Sequence, residues 1–389
     1  MKKALLSIIT LFSVFWSAQT FTQAYQDRAN QITQTNINTY LTEFASYGVK
    51  KTGSVANANA LAWLKNKYAS FGYTASQIVE DPWTGGGYTS KNLVITKTGT
   101  LYPTKFVIVC GHFDTIAGPG VNDNGSGTSI ILEIARILKD VPTDYSIKFI
   151  NFSGEEQGLY GSQHYVQNVV NATTPKMDIK VVFNIDEVGG VAGMVNDTVF
   201  CDRDQSSPSS NNSASQAITQ QLANCVGLYS PLFTEFDPAY ASDYVPFQQN
   251  GEIITGFYEH NISNYPHTAN DTYVNMDPVY VFNVGKAALG AVQHFAGAST
   301  ITLAVDCPPE RMLESLKISP NPAKNFVQIE MVNLNRKDFS FTISDLSGRT
   351  IIATKNESRI DVSKLENGVY LGTMSVEDQK VTKKIIIKK

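Results

Sequence analysis

Five side chains in this sequence are of types that hold metal ions: His112, Asp123, Glu156, Asp186 and His267. Each stands in a loop after an apolar run or in a Pro-punctuated turn. Imidazole with carboxylate suits Zn²⁺, and a site that activates water leaves coordination positions open. Two histidines and three carboxylates can serve two ions if one carboxylate bridges, so a two-metal hydrolase is the natural reading. His112 and Asp123 share the Gly-rich stretch GHFDTIAGPGVNDNGSG, residues 111–127, which alone would also fit a phosphate cradle or a structural turn. Glu155 and Glu156 are adjacent, and neighbours on a loop cannot both aim at one ion. One would ligate while the other faces the bound water as general base. Asp114, two residues after His112, is close enough to accept the hydrogen bond that fixes the imidazole tautomer, and Asp271 could do the same for His267. His164, His260 and His294 have no motif around them.

These residues need a scaffold that brings loop ends together. Apolar runs at Phe106–Cys110, Ser146–Phe152 and Ile179–Ile185 read as buried strands, each ending at one of the polar clusters. Asn92–Thr96 reads as a strand paired with Phe106–Cys110, after a Gly85–Gly87 turn, and Glu252–Phe257 as a further strand. Helical spacing marks 58–71, stopped by Gly72, then 130–138, 216–226 and 278–295, and a weakly amphipathic helix over 19–47. Asp202–Ser215 reads as a Ser/Asn-rich surface loop. Strands alternating with helices imply an α/β fold with a central mixed, mostly parallel sheet covered by helices on both faces. Such sheets place their chemistry at the carboxyl ends of the strands.

At 389 residues the chain has room for two domains. Pro308-Pro309 marks a linker over 299–315, and 316–389 reads as a small all-β sandwich of about seven short strands. The formal charge of −4 offers no basic field for nucleic acid. Residues 1–18 have the basic start, short apolar core and small-residue exit of a secretory signal peptide, with cleavage expected after Ala18. That core is too short to span a bilayer comfortably, so no stable transmembrane segment is expected. Residues 19–298 then form the main domain. The four cysteines, Cys110, Cys201, Cys225 and Cys307, contain no C-x-x-C pair. Export permits disulfides, with Cys201–Cys225 the expected pair and Cys110 a buried thiol.

The motifs in order resemble the zinc aminopeptidases of peptidase family M28. The family's H-x-D matches His112-Phe-Asp114 and its P-G-x-x-D-x-x-S-G loop matches residues 119–127. Its tandem glutamates match Glu155-Glu156, its post-strand aspartate Asp186 and its late histidine His267. The resemblance implies two Zn²⁺ bridged by Asp123, with His112 and Asp186 completing one site and Glu156 and His267 the other. It implies Glu155 as base for a hydroxide held between the metals, N-terminal residues of peptides as substrate, and a cis peptide bond after Asp123. It also makes Tyr240, Ser242 and Asp243 candidates for holding the substrate or its oxyanion. Ile318-Ser-Pro-Asn-Pro322, residues 343–349, 360–363 and 368–371, and the Lys383–Lys388 run resemble the C-terminal sorting domain of the type IX secretion system of Bacteroidetes. That resemblance implies the secretion machinery as partner, passage through the periplasm and outer membrane to the cell surface or medium, and later removal of the tail.

Three other readings fit parts of this pattern. A carboxypeptidase or dipeptidase of the same fold would want an arginine fork for the terminal carboxylate, and Arg203 is the credible one. A single-metal acyltransferase of the glutaminyl cyclase type shares the scaffold, but His112 argues for the second metal. A non-catalytic exported binding protein is opposed by the intact Glu155 and five ligands.

Overall fold

The computed structural model describes residues 19–300, 316–330, 338–376 and 379–389. The expected signal peptide, Cys307 and most of the expected linker lie outside them. The chain divides into two compact units at Thr300. In the first, α1 (Gln23–Ala29), α2 (Gln34–Ser46) and α3 (Val55–Ser70) precede β1 (Ile78–Gly85), β2 (Tyr88–Lys97) and β3 (Tyr102–His112). Then come α4 (Gly125–Leu138), β4 (Tyr145–Phe152), α5 (Tyr160–Tyr165), β5 (Asp178–Ile185) and β6 (Thr198–Arg203). The unit ends with α6 (Asn212–Tyr229), β7 (Phe233–Pro238), α7 (Val245–Gln249), β8 (Ile254–Glu259) and α8 (Pro278–Ala296).

Eight strands form one sheet in the order β1-β2-β4-β3-β5-β8-β6-β7. The β4-β3, β3-β5, β5-β8 and β6-β7 pairs are parallel, and the other three are antiparallel. Alternate residues of β3 serve opposite faces. Val107 and Val109 join the core under α2, α4 and α8, whereas Ile108 and Cys110 join the one under α5 and α7. Each such fully buried aliphatic side chain contributes about 1.5–3 kcal/mol, so a strand apolar on both sides must be a central one. Helix ends follow local chemistry: Ser54 caps α3 through the N–H of Asn57 at 3.1 Å. Asp277 caps α8 just ahead of Pro278, and Gly297, at φ 61°, ends it.

The structure corrects several expectations. Strand β2 does not pair with β3; β4 lies between them, parallel to β3 and antiparallel to β2. A continuous apolar run identifies a central strand but says nothing of its neighbours. The N-terminal helix is two helices, the second started by the Thr33 side chain accepting from Asn36 N–H at 3.1 Å. Asp202 and Arg203 end β6 rather than begin a loop. Cys201 and Cys225 are buried free thiols, not a disulfide, and Cys225 Sγ accepts from Gln19 Nε2 at 2.7 Å. They pack as small apolar groups between β6 and α6. No helix among the described residues is long and apolar enough to cross a membrane.

The second unit holds β9 (Lys317–Ser319), β10 (Phe326–Glu330), β11 (Phe339–Ser344), β12 (Thr350–Lys355), β13 (Arg359–Asp361), β14 (Gly368–Val376) and β15 (Gln379–Ile387). They form a three-stranded sheet, β13-β10-β9, and a four-stranded sheet, β12-β11-β14-β15. The inward residues Val327, Ile329, Phe341, Ile343, Met374 and Ile385 bury a common core.

Candidate active site

Parallel pairing brings the carboxyl ends of β3, β4 and β5 level, with His112 opposite Phe152 and Cys110 opposite Asn184. His112 is the last residue of β3, Glu155 and Glu156 follow β4, and Asp186 follows β5. Asp123 precedes the N-cap of α4, Asn124, whose Oδ1 accepts from Gly127 N–H at 2.9 Å. The Asp123–Asn124 peptide bond is cis. His267 comes from the segment between β8 and α8 and lies in the left-handed region at φ 58°.

These side chains meet. His112 Nε2 is 3.1 Å from Asp123 Oδ1 and 3.2 Å from Asp186 Oδ1. His267 Nε2 is 3.2 Å from Asp123 Oδ2 and 3.0 Å from Glu156 Oε2. Asp123 therefore presents one oxygen to each group, and within each group the donor atoms lie within 4.8 Å of one another. His112 Nδ1 is 3.1 Å from the carbonyl oxygen of Asp114, an acceptor, so that nitrogen carries the proton. In the neutral ring, Nε2 is then a bare lone pair aimed at two carboxylate oxygens. Asp123 Oδ2 faces His267 without forming a proper hydrogen bond. Imidazole nitrogens and carboxylate oxygens this close together need protons or a cation between them, and the nitrogen and oxygen donors fit zinc.

The electrostatics carry the same signature. Burial pushes the Glu156 carboxyl up to about 8, assisted by the charge of Asp123. Glu155 is raised well above the carboxylate range, chiefly by burial. Burial opposes charge on His112, but Asp186, Glu155 and its contacts to Asp123 outweigh it and hold the ring well above its ordinary value. His267 is raised to about 9, first by its contact with Asp123. Without a metal the cluster relieves its crowding by taking up protons.

Two positioning roles differ from expectation. The Asp114 carboxylate stands 3.8 Å from His112 Nδ1, and the backbone carbonyl of Asp114 orients the ring instead. The Asp114 carboxylate accepts from the N–H groups of Glu155 and Glu156, both at 3.3 Å, and from Thr52 Oγ1 at 3.0 Å, so it fixes the glutamate loop. Asp271 takes a different task from orienting His267. Its two oxygens accept from the N–H groups of Asn122, at 2.8 Å, and Asp123, at 2.9 Å, holding the backbone that carries the shared aspartate.

Residues 92–292, just over half of the chain, match the model of peptidase family M28. The chain belongs to that family. Residues 317–388 match the model of a secretion system C-terminal sorting domain. An aminopeptidase of Bacillus subtilis is 45% identical over 103 residues, 26% of this chain and 22% of the relative. A probable zinc metalloprotease of Pyrenophora tritici-repentis is 28% identical over 189 residues, 42% of this chain and 38% of the relative. The chain thus spans well under half the length of these curated relatives. The Legionella pneumophila aminopeptidase LapA superposes with a TM-score of 0.63 at 22% identity, covering 76% of this chain and 80% of that one, which establishes a shared fold.

Around this M28 centre the remaining candidates divide. Ser242 Oγ donates to Asp186 Oδ2 at 2.7 Å and accepts from Asn184 Nδ2 at 2.8 Å, so it steadies Asp186 rather than meeting a substrate. Asp243 is fully buried near Ser162 and His112, with neither oxygen in a well-formed hydrogen bond, and burial pushes its carboxyl up to about 7. Tyr240 Oη is buried without a partner among the described residues, and its backbone N–H donates to Tyr244 Oη at 2.8 Å. Arg203, the clamp that a carboxypeptidase would need, is turned away from the cluster. Strand β6 runs against β8, so its end points away from the end of β5 that carries Asp186, and the Arg203 guanidinium lies 5.8 Å from the Phe236 ring.

Two supports were not anticipated. Lys50, fully buried over the Phe44 ring, donates to the carbonyls of Pro119 (2.6 Å), Gly48 (2.9 Å) and Phe44 (3.3 Å), tying the loop that carries Asp123 to α2. Glu187 follows Asp186 at φ 44°, and its carboxyl is pushed up to about 10 by burial and then by the charges of Asp123 and Asp186. A lysine in a polar stretch carries no sequence signal of burial. The doubled acid Asp186-Glu187 did carry one, since both stand at a strand's carboxyl end.

Proposed function

We propose that this M28 chain is an exported aminopeptidase holding two zinc ions, with Asp123 shared between a His112/Asp186 site and a Glu156/His267 site. The observation that supports it most is that the two oxygens of Asp123 each meet one imidazole nitrogen, which in turn meets a second carboxylate, Asp186 or Glu156. Zinc bound there supplies a lowered water pKa and polarisation of the scissile carbonyl. Glu155, fixed through its N–H by Asp114, takes the proton from the attacking water and delivers it to the leaving amine nitrogen. The unpartnered Tyr240 hydroxyl is the donor free to meet the carbonyl oxygen as negative charge develops on it. Asp114, Asp271 and Ser242 hold this arrangement still.

Residues 1–18 act as the signal, 19–298 as the peptidase, 299–315 as linker and 316–389 as the tail that engages a type IX secretion apparatus on the way to the cell surface or medium. The match of residues 317–388 to a sorting domain supports this route. The deciding experiment is Glu155→Gln. It should abolish cleavage of aminoacyl anilides while leaving zinc near two per chain by elemental analysis. Loss of zinc would make Glu155 a ligand instead, and faster cleavage of N-blocked dipeptides than of anilides by the unmodified enzyme would reverse the direction of attack.

A further inference from the structure

Glu187 is not needed by the mechanism above, yet it stands one residue beyond Asp186 at the carboxyl end of β5. Its side chain is partly exposed, as are those of Tyr240 and Tyr258, whereas Asp186 and Asp123 behind them are buried. Glu187 Oε2 lies 3.5 Å from Tyr258 Oη, the one hydrogen bond its carboxylate makes among the described residues. The Tyr258 ring packs against Tyr240 at 4.5 Å between centroids, so two phenol faces and a carboxylate line one patch. The neighbouring Glu259 is fully committed: Oε2 accepts from Asn122 Nδ2 at 2.9 Å and Gly190 N–H at 2.6 Å, and Oε1 accepts from Ser263 N–H at 2.7 Å. Glu187 has no such partners, and no lysine or arginine pairs with it among the described residues.

We propose that Glu187, with the rings of Tyr240 and Tyr258, forms the side-chain pocket for the first residue of the substrate and selects lysine and arginine there. This rests on the aminopeptidase reading. The chemistry of the patch favours a long cationic side chain over a short cation. Aromatic faces accept an aliphatic stem, or stack on a guanidinium, while the carboxylate meets the charged head. Glu187 lies on the His112/Asp186 side, among the charges of Asp123, Asp186 and His112. Asp123 and Asp186 belong to the proposed metal sites, which leaves the Glu187 carboxylate as the acidic group free to meet the cationic head.

The test compares kcat/KM of the zinc-loaded full chain on the 4-nitroanilides of lysine, arginine, norleucine and leucine. Norleucine keeps most of the lysine stem without its ammonium. Lysine and arginine should exceed norleucine by about fivefold, the size of one partly exposed charge contact of about 1 kcal/mol. In Glu187→Gln and Glu187→Met the lysine-to-norleucine ratio should fall to within about twofold of unity. Because the ratio is taken within each enzyme, a general loss of activity cancels. A norleucine preference in the unmodified enzyme, or an unchanged ratio in both variants, overturns the proposal. A uniform drop on all four substrates with the ratio kept overturns it too, and assigns Glu187 to the α-ammonium. If no anilide is cleaved at full zinc loading, the aminopeptidase reading itself fails, which is a distinct result.

Discussion

Asp271→Asn isolates the support beneath the shared aspartate. In the native chain both carboxylate oxygens accept backbone N–H groups, from Asn122 at 2.8 Å and Asp123 at 2.9 Å, in a site where Asp271 is only 2% exposed. Hydrogen bonds to a buried charge contribute about 1.5–3 kcal/mol each. The amide keeps one acceptor but makes a neutral bond, losing about 1 kcal/mol, and turns its NH₂ toward the other N–H. That second contact is lost and a buried donor is stranded, a further 2–5 kcal/mol or so before the loop relaxes. A net loss of about 3 kcal/mol is a fair expectation, equivalent to a fall of roughly 6–12 °C in melting temperature for a domain of this size. Because the distortion falls on the residue that both ions would share, zinc affinity should drop by about 10- to 100-fold. The assay is zinc retention after dialysis against buffered free zinc, paired with thermal melts of metal-free and loaded protein. Melting within about 1 °C of the parent together with unchanged zinc retention would refute the assigned role of Asp271. A melting loss with zinc affinity intact would reduce Asp271 to a purely structural brace.

Two further outcomes follow from the same geometry. In the metal-free protein His267 is raised to about 9 and Glu156 to about 8, so both carry protons at pH 7 that a cation must displace. Zinc binding at pH 7 should therefore release protons, and affinity should weaken as pH falls below those values; calorimetric heats that are identical in buffers of different ionisation enthalpy would contradict this. Gly127→Ala places a methyl against the carbonyl oxygen of Ile185 and the Asn124 side chain that caps α4. A loss of about 3 kcal/mol or more is expected, read as reduced soluble yield and a lower melting point, and a normal melt would show that α4 can shift away from β5.

The metal-ligand candidates were legible because their chemistry and their position after apolar strands coincide: His112, Asp123, Glu156 and Asp186 all follow near-continuous apolar runs that mark buried strands. The supports were harder. A carboxylate such as Asp271, bonded to backbone N–H groups 148 and 149 residues away, leaves no local pattern. Side-chain type alone suggested that Asp114 and Asp271 would orient imidazoles, whereas the fold engages them with backbone donors. Strand order was illegible for a related reason: β2 and β3 are both apolar, and only the crossover through α4 inserts β4 between them. Arg203, the clamp a carboxypeptidase would need, lies at the far end of the sheet because strand direction, which is not written in composition, decides where a side chain leaves it. In the second unit the turn-punctuated alternation sufficed, since short antiparallel strands on a two-sheet core have few other arrangements.

The five candidate ligands are dealt out along most of the first unit, and the last, His267, arrives just ahead of the closing helix α8, whose buried face packs on α4 and the sheet. On the proposed reading no partial chain emerging from a ribosome or threading through a translocation pore holds a complete centre. Competence to cleave is thereby scheduled last, after nearly all of the peptidase unit has been made, and zinc capture becomes a checkpoint on finished folding. On that reading a growing chain lacks its last ligand until almost all of the first unit has been made.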